Sequence, residues 1–290
     1  MDLNHGVAVI TGAASGFGRA FAQACVAEGM KVVLADVDDS GLAGTRDLLP
    51  SEAEALVVPT DVSDSASVQA LADRSFDRFG RVTLLFNNAG VAIGGLSWES
   101  TPADWAWVLG VNLMGVVHGI QSFVPRMLAQ GHPAHIINTA SAAGLVSVPG
   151  GAVYCASKHA VVALSECLHQ ELKVKTSRIG VSVLCPSFVR TAIAESERNR
   201  PAALHNRQPA SNHGSEPLRQ AMARARITAD DIARVTLDAV QGSRFYVLPH
   251  PKVRDEVRAR MEAIIDDAPP TFTTLPELRD TNRGEELPGG

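Results

Sequence analysis

Val7-Ala-Val-Ile-Thr-Gly-Ala-Ala-Ser-Gly-Phe-Gly18 is the stretch that decides how this chain folds. Four apolar residues, Val7 to Ile10, read as a buried strand. They run into glycines at 12, 16 and 18, where a helix begins and continues to about Gly29. A strand turning tightly into a helix over glycines opens a βαβ unit. The absent Cβ atoms let the backbone approach a pyrophosphate, and the helix N-terminus offers free N–H groups and partial positive charge. The spacing is Gly-x-x-x-Gly-x-Gly, and taken alone it equally fits a turn that only needs positive φ. Asp36 separates the two readings. It closes Leu34-Ala-Asp36, eighteen residues past Gly18, where a carboxylate accepts the hydroxyls of an adenosine ribose and repels a 2′-phosphate. No Arg stands at 36 or 37 to receive that phosphate, so NAD is favoured over NADP.

The same alternation continues outward. Further strands are predicted at Lys31–Ala35, Ala55–Val58, Val82–Phe86, His135–Asn138, Ile179–Leu184 and Arg244–Leu248. Between them lie a helix capped by Ser63 and running to about Phe79, and a long one over about Ala103–Gln130, broken near Pro102-Ala103 and Leu109-Gly110. Others run to about Thr176, over Ala229–Val240 and over Lys252–Asp266. Repeated β-α-β with apolar strands predicts an α/β fold: a doubly wound, parallel, seven-stranded sheet with helices on both faces, Rossmann-like. Residues 1–268 read as one domain. The segment 192–226, with Pro201, Pro209 and Pro217, leaves the sheet and reads as a substrate lid. Residues 269–290 read as an extended tail.

Composition bounds the function. Of 290 residues 46% are hydrophobic and 20% charged, which excludes a disordered chain. A net charge of −5 with no dominating basic stretch argues against nucleic acid as the main partner. The N-terminus lacks a cationic, then apolar, leader, and no uninterrupted apolar run reaches the ~20 residues that span a bilayer. Cys25, Cys155, Cys167 and Cys185 form no Cys-x-x-Cys, which fits reduced thiols in a cytoplasmic protein, with neither disulfide framework nor zinc site. His118, His159 and His169 make no metal triad and read as surface or interface residues. Trp98, Trp105 and Trp107 read as packing or oligomer contacts.

Tyr154 and Lys158 stand one helical turn apart and on one face, with Ser141 thirteen residues upstream; any helix can carry such a pair by chance, and alone it also fits a Tyr packed on a Lys stem. A phenol is a poor base near neutrality, and a cation beside it lowers its pKa. A Tyr so tuned exchanges a proton with an alcohol or a carbonyl oxygen.

Thr11-Gly12 through Gly18, Asp61-Val62, Asn87-Asn-Ala-Gly90, Asn112, Ser141, Tyr154/Lys158 and Pro186-Ser-Phe-Val-Arg-Thr191 follow one another in an order and spacing that resembles the single-domain branch of the short-chain dehydrogenase/reductase superfamily, over about residues 5–250. Trp107–Asn112, Phe123–Met127, Ile193–Ser196 and Val247–Val253 further resemble bacterial Cα-dehydrogenases, which oxidise benzylic alcohols of lignin-derived aryl ethers. The resemblance implies Tyr154 as general acid/base, with Lys158 lowering its pKa and binding the nicotinamide ribose. It implies that Ser141 holds the substrate oxygen and that Asn112 holds a water relaying the proton from Lys158. For NAD it implies contacts from Gly12, Ser15, Gly16, Phe17, Gly18 and Asp36, from Asp61 and Val62 at the adenine, from Asn88, Ala89 and Gly90, and from Pro186, Val189 and Thr191 towards the carboxamide. A homodimer or homotetramer pairing the 103–130 and 152–176 helices is also implied.

Three positions depart from the common pattern: Phe17 for a smaller aliphatic residue, Ser187 for Gly and Ala140 for Ser. Val91, Ile93, Ala143, Leu145, Val148, Phe188 and Ile193 are the expected pocket for an apolar aromatic or alicyclic alcohol or ketone. Arg198, Arg200 and Arg207 could each turn inward from the lid. Two alternatives remain at this point: an NAD-dependent epimerase or dehydratase, and a non-catalytic NAD-binding sensor on the same fold.

Overall fold

The protein was analysed as a computed structural model, which describes residues 3–175, 178–206, 220 and 222–270. Its sheet has seven parallel strands: β1 (Val7–Thr11), β2 (Lys31–Asp36), β3 (Ala55–Pro59), β4 (Leu84–Asn87), β5 (Ala134–Thr139), β6 (Ile179–Leu184) and β7 (Tyr246–Val247). Their spatial order is β3-β2-β1-β4-β5-β6-β7. All six neighbouring pairs are parallel. Every residue of β1, β4 and β5 is buried, which is why these strands read as unbroken apolar runs rather than alternating ones. The order reverses between β1 and β4, so a crevice opens at the carboxyl ends of these two strands.

Helices α1 (Gly16–Ala27), α2 (Asp39–Asp47) and α7 (Ala229–Gln241) cover one face, packing Phe21, Leu42 and Ile232 against Ile10, Leu34 and Phe86. Phe21 stacks on Phe86 with centroids 4.6 Å apart, and burial of such a side chain is worth about 1.5–3 kcal/mol. Helices α3 (Ser65–Phe79), α5 (Gly115–Ala129) and α6 (Ala152–Lys175) cover the other face, packing Leu71, Phe123 and Leu168 against Val9, Leu85 and Ile136. Among the described residues the last helix is α8 (Lys252–Ile265).

The predicted break in the long helix is present and has a definite form. Thr101 caps α4 (Pro102–Leu109) through a reciprocal box with Asp104, and Pro102 sits in the first turn, where its missing N–H costs nothing. A single π-turn, Gly110–Met114, then separates α4 from α5. Such turns re-aim one side chain within an otherwise regular helix, and here that side chain is Asn112. The stretch Pro102–Ala129 is long and apolar enough to cross a bilayer, but it lays Phe123, Val124 and Met127 into the sheet core.

Other expectations shift. The cap of α3 is Asp64, whose side chain accepts the Ala66 N–H; Ser63 instead bonds Asp61. Helix α2 was not foreseen because Gly41 and Gly44 obscure its period. Strand β7 is shorter than predicted. His118 is buried, with Nδ1 2.9 Å from the Val62 carbonyl, so it is not a surface residue. The first part of the expected lid folds as two 3₁₀ turns, Ala192–Asn199 and Ala202–Leu204. Residues 207–219 and 221 of that lid, and 271–290 of the expected tail, lie outside the described residues.

Candidate active site

A cavity of about 1900 Å³ lies at the carboxyl ends of β1, β4, β5 and β6. One end is the glycine loop. Gly12 has φ +70°, and a Cβ there would stand 2.9 Å from the Ala89 Cα. Gly16 (φ +51°) faces Thr191 across the entrance. Ser15 and Phe17 line the same end, beside Asp36. Gly18 does not. A Cβ on it would lie 2.0 Å from the Gly12 carbonyl oxygen, so Gly18 lets α1 seat against the loop and stays off the cavity wall.

Asp36 is fixed by its neighbours: Oδ2 accepts the Ala14 N–H at 3.0 Å and Oδ1 accepts the Asp38 N–H at 3.1 Å. Burial raises its pKa, and these two bonds work against the rise. Asp61, Val62, Asn88, Ala89 and Gly90 continue the lining. Thr11, which the sequence reading had not singled out for this task, builds the 88–90 corner. Its hydroxyl accepts the Asn88 and Ala89 N–H groups at 2.9 and 3.0 Å and donates to the Phe86 carbonyl. A Thr closing a buried strand beside the loop was the available signal.

The lining fits NAD on its own geometry. Glycine carbons leave room for a backbone-hugging pyrophosphate, and a fixed carboxylate stands where a ribose diol would reach. No Lys or Arg occupies positions 36–38.

Tyr154 and Lys158 meet at the cavity floor from one face of α6. Lys158 is buried; its Nζ lies 5.7 Å from the Tyr154 ring centroid and donates to the Thr139 carbonyl at 2.8 Å. A Cβ on Gly90 would approach that Nζ to 3.5 Å, so the missing side chain leaves space beside the ammonium. Ser141 caps the start of the turn Ala142–Gly144 that follows β5, and its hydroxyl acts to lower the pKa of the Tyr154 phenol. Its Oγ also lies 3.3 Å from the Pro186 carbonyl and accepts the Ala143 N–H at 3.2 Å.

Electrostatically the protein does less than the sequence reading expected. Burial pushes the Tyr154 phenol up to about 12, with the Ser141 bond pulling the other way. Burial likewise brings the Lys158 ammonium down to about 8. Both shifts have one leading cause, the cost of a charge away from water.

Asn112 supports this floor. Both its amide hydrogens are spent, on the Val91 carbonyl and on Ser157 Oγ, each at 3.0 Å. The expected water contact therefore cannot use them. Ser157 in turn donates to the Tyr154 carbonyl at 2.7 Å, linking Asn112 to the backbone of the phenol.

On the other side Val91, Ile93, Ala143, Val148, Phe188 and Ile193 line the cavity, as do Pro186, Val189 and Thr191. Leu145 does not. The 3₁₀ turn Ala142–Gly144 points Ala143 and Val146 at the cavity and sends Leu145 into the cluster of Val116, Val161 and Val162. Trp107, Leu204, Met222 and His250 join the wall from distant elements, with no local motif to announce them. Trp107 is thus a buried packing residue in the cavity wall. His250 takes the Ser187 N–H on Nδ1 at 3.1 Å and lies 3.2 Å through Nε2 from the Phe188 carbonyl. It thereby clamps the loop where Ser187 replaces the usual glycine. Arg198 lines the cavity, Arg200 is buried elsewhere and Arg207 lies outside the described residues. Among the described residues no group of His, Cys, Asp or Glu gathers as metal ligands.

The profile of a family described as short chain dehydrogenase matches residues 6–202. The chain belongs to the short-chain dehydrogenase family. A solved family structure from Burkholderia phymatum, a short chain dehydrogenase/reductase in complex with NAD, is 50% identical, with a TM-score of 0.93 over 94% of this chain and 99% of that one. A dehydrogenase/reductase of CLA biosynthesis from Lactiplantibacillus plantarum is 36% identical over 93% of this chain and 96% of its own length. A C alpha-dehydrogenase from Sphingobium is 34% identical over 93% and 88%.

Proposed function

We propose that this protein is an NAD-dependent oxidoreductase that interconverts a secondary alcohol and a ketone, with an apolar aromatic or alicyclic substrate. The observation that carries the reading is the convergence, in one cavity, of the Asp36–glycine cradle with Ser141, Tyr154 and Lys158. NAD, when bound, supplies the hydride acceptor and, in its oxidised form, a positive ring. The chain's own residues handle the proton and the geometry. Ser141 and Tyr154 hold the substrate oxygen between two hydroxyl groups. Tyr154 Oη takes the alcohol proton in oxidation and returns it in reduction, and Lys158 supplies the buried positive charge that favours the phenolate. Gly12, Gly16 and Asp36 orient the cofactor so that the reacting atoms meet.

Support for an apolar substrate comes from the wall of Val91, Ile93, Val148, Phe188 and Trp107. The curated relatives are named for different substrates, which leaves the choice of alcohol to this wall. A sensor needs no such set of Ser, Tyr and Lys; an epimerase or dehydratase also uses Tyr-x-x-x-Lys, but usually with a different glycine spacing and a larger nucleotide-sugar domain, so neither is favoured. We also read residues 1–268 as one catalytic unit, working in the cytoplasm as a homodimer or homotetramer. Exposed Met114 and Val174, on the helices expected to pair, support that assembly. Light scattering on the purified protein tests it: a monomer at working concentration would remove it.

Turnover with NAD and a panel of benzylic, alicyclic and steroid alcohols, followed by NADH absorbance, tests the function. NADH formation with at least one of them is expected. Its absence throughout the panel, with ketones and NADH also inert, would sink the reading.

A further inference from the structure

The described start of the lid, residues 192–206, is pinned rather than free. Ser196 Oγ accepts the Ala92 N–H at 3.1 Å, tying the first 3₁₀ turn to the segment after β4. A larger anchor follows. Arg200 is almost completely buried, and its Nη2 reaches Asp104 Oδ1 at 2.6 Å, across 96 residues of chain. Its Nη1 donates to the Leu204 carbonyl at 3.1 Å, and Glu197 Oε1 accepts from Nη2 at 2.9 Å. The guanidinium carbon sits 4.4 Å from the Trp107 ring centroid. Asp104 also receives the Asn206 amide at 3.0 Å and the Thr101 N–H at 2.8 Å. Burial opposes its charge, yet these partners hold its pKa below the ordinary carboxylate value.

A buried ion pair is an expensive way to stabilise a fold, since its desolvation offsets most of the attraction. What it does give is position. Arg200 reads a carboxylate, a main-chain carbonyl and an aromatic face at once, which a planar guanidinium can do and an ammonium cannot. The groups it fixes are cavity wall. Trp107, Pro201 and Leu204 all line the cavity that holds Tyr154, while Arg200 and Asp104 do not. The 3₁₀ turn Ala202–Leu204, capped by Pro201, is only three residues long, too short to hold this shape by its own hydrogen bonds.

We propose that Arg200 is a specificity-determining positioning residue: through its buried pair with Asp104 it fixes the wall of Trp107, Pro201 and Leu204, and so sets which alcohols fit above Tyr154. It touches neither substrate nor cofactor. The proposal rests on reading this cavity as the substrate site of a dehydrogenase.

The test compares the wild-type chain with Arg200→Lys and with the double variant Arg200→Met/Asp104→Asn, which removes both charges together. Two alcohols are used, 1-phenylethanol and propan-2-ol, and amide hydrogen exchange is measured over residues 196–206. In both variants KM for 1-phenylethanol rises at least about tenfold, the scale of a modest misplacement in a site. The kcat, the NAD affinity and the constants for propan-2-ol move by less than about threefold. The amides of Arg200, Leu204 and His205, which bond Glu197, Pro201 and Ala202 carbonyls, exchange faster. An unchanged preference between the two alcohols in a folded variant overturns the proposal, as does unchanged exchange over 196–206. A parallel fall of kcat with both alcohols also overturns it, because that is the mark of general destabilisation. Failure of the wild-type chain to turn over any alcohol would instead remove the dehydrogenase reading, and exchange would still decide whether Arg200 holds this wall.

Discussion

Asn112 and Val91 are closed into a two-bond pair: Asn112 Oδ1 accepts the Val91 N–H at 2.8 Å, and Asn112 Nδ2 donates to the Val91 carbonyl at 3.0 Å. The π-turn in the middle of a long helix thereby grips the chain just past β4, where the cavity begins. Asn112→Ala strands both main-chain groups of a buried residue. It is expected to cost about 2–4 kcal/mol of stability in urea unfolding, from two to three lost bonds. Turnover at saturating NAD should fall more than about tenfold, because Ser157 and the Tyr154 backbone lose their brace. A variant that unfolds like wild type would show the pair to be dispensable.

Tyr154→Phe keeps the ring and deletes the proton carrier. Turnover is expected to drop by about 100-fold or more, the usual size of a general acid/base contribution, with NAD affinity unaltered. Retention of a tenth of the activity would end the assignment. Cofactor titration by fluorescence, run alongside, separates chemistry from binding.

Asp36→Ala addresses cofactor choice. Hydrogen bonds to a charged acceptor are worth about 1.5–3 kcal/mol, so NAD should bind about ten- to a hundredfold more weakly. NADP should lose nothing or gain, since the charge facing a 2′-phosphate is gone. Equal weakening of both cofactors would mean that Asp36 acts only by holding the Ala14 and Asp38 N–H groups.

Gly18→Ala and Gly44→Ala form a matched pair. At Gly18 a Cβ meets the Gly12 carbonyl oxygen at 2.0 Å, and main chain must move. Stability should fall by about 1–3 kcal/mol, and NAD should bind more weakly although Gly18 does not line the cavity. At Gly44, inside α2, the nearest atom is a mobile Arg19 nitrogen at 3.7 Å. That change should be neutral or stabilise by up to about 1 kcal/mol. Thermal unfolding with and without NAD reads both.

His135 supplies a pH signature. It is buried, with Nε2 2.8 Å from Ser182 Oγ, and burial brings its pKa down to about 4 from an ordinary 6.5. Between these values the unfolded chain binds a proton that the folded chain refuses. Stability therefore falls as pH drops from 6.5 towards 4, by up to about 3 kcal/mol from this residue. His135→Gln should flatten that part of the curve in urea unfolding at pH 7 and 5. An unchanged slope would assign the acid sensitivity to other groups.

Much of this protein was legible from the chain alone, for a physical reason. Strand and helix periods are local, so the seven strands, their parallel arrangement and the faces of α1, α5 and α6 follow from burial patterns a few residues long. Gly12, Gly16, Asp36, Ser141, Tyr154 and Lys158 were legible because a tight turn, a strand end and an i, i+4 pair place them without knowledge of the rest. Even the break in the helix at Leu109-Gly110 was marked, though not that it is a π-turn serving Asn112.

The remainder rests on contacts between segments far apart in the chain. Whether Leu145 or Val146 faces the cavity depends on the rotation of one 3₁₀ turn, a one-residue matter that composition does not resolve. Gly18 acts through a contact with Gly12 rather than with a cofactor, and a glycine's letter is the same in both cases. Arg200 could as well have faced solvent or substrate; its partner lies 96 residues earlier, and nothing near either residue names the other. The half-buried setting of Tyr154 and the burial of Lys158, which raise one pKa and lower the other, are likewise properties of everything packed around them. The frame and the reacting groups were readable from the order of residues, because these rest on local periodicity. The folded structure decided the walls, the clamps and the electrostatic setting, because these are made of contacts between distant segments.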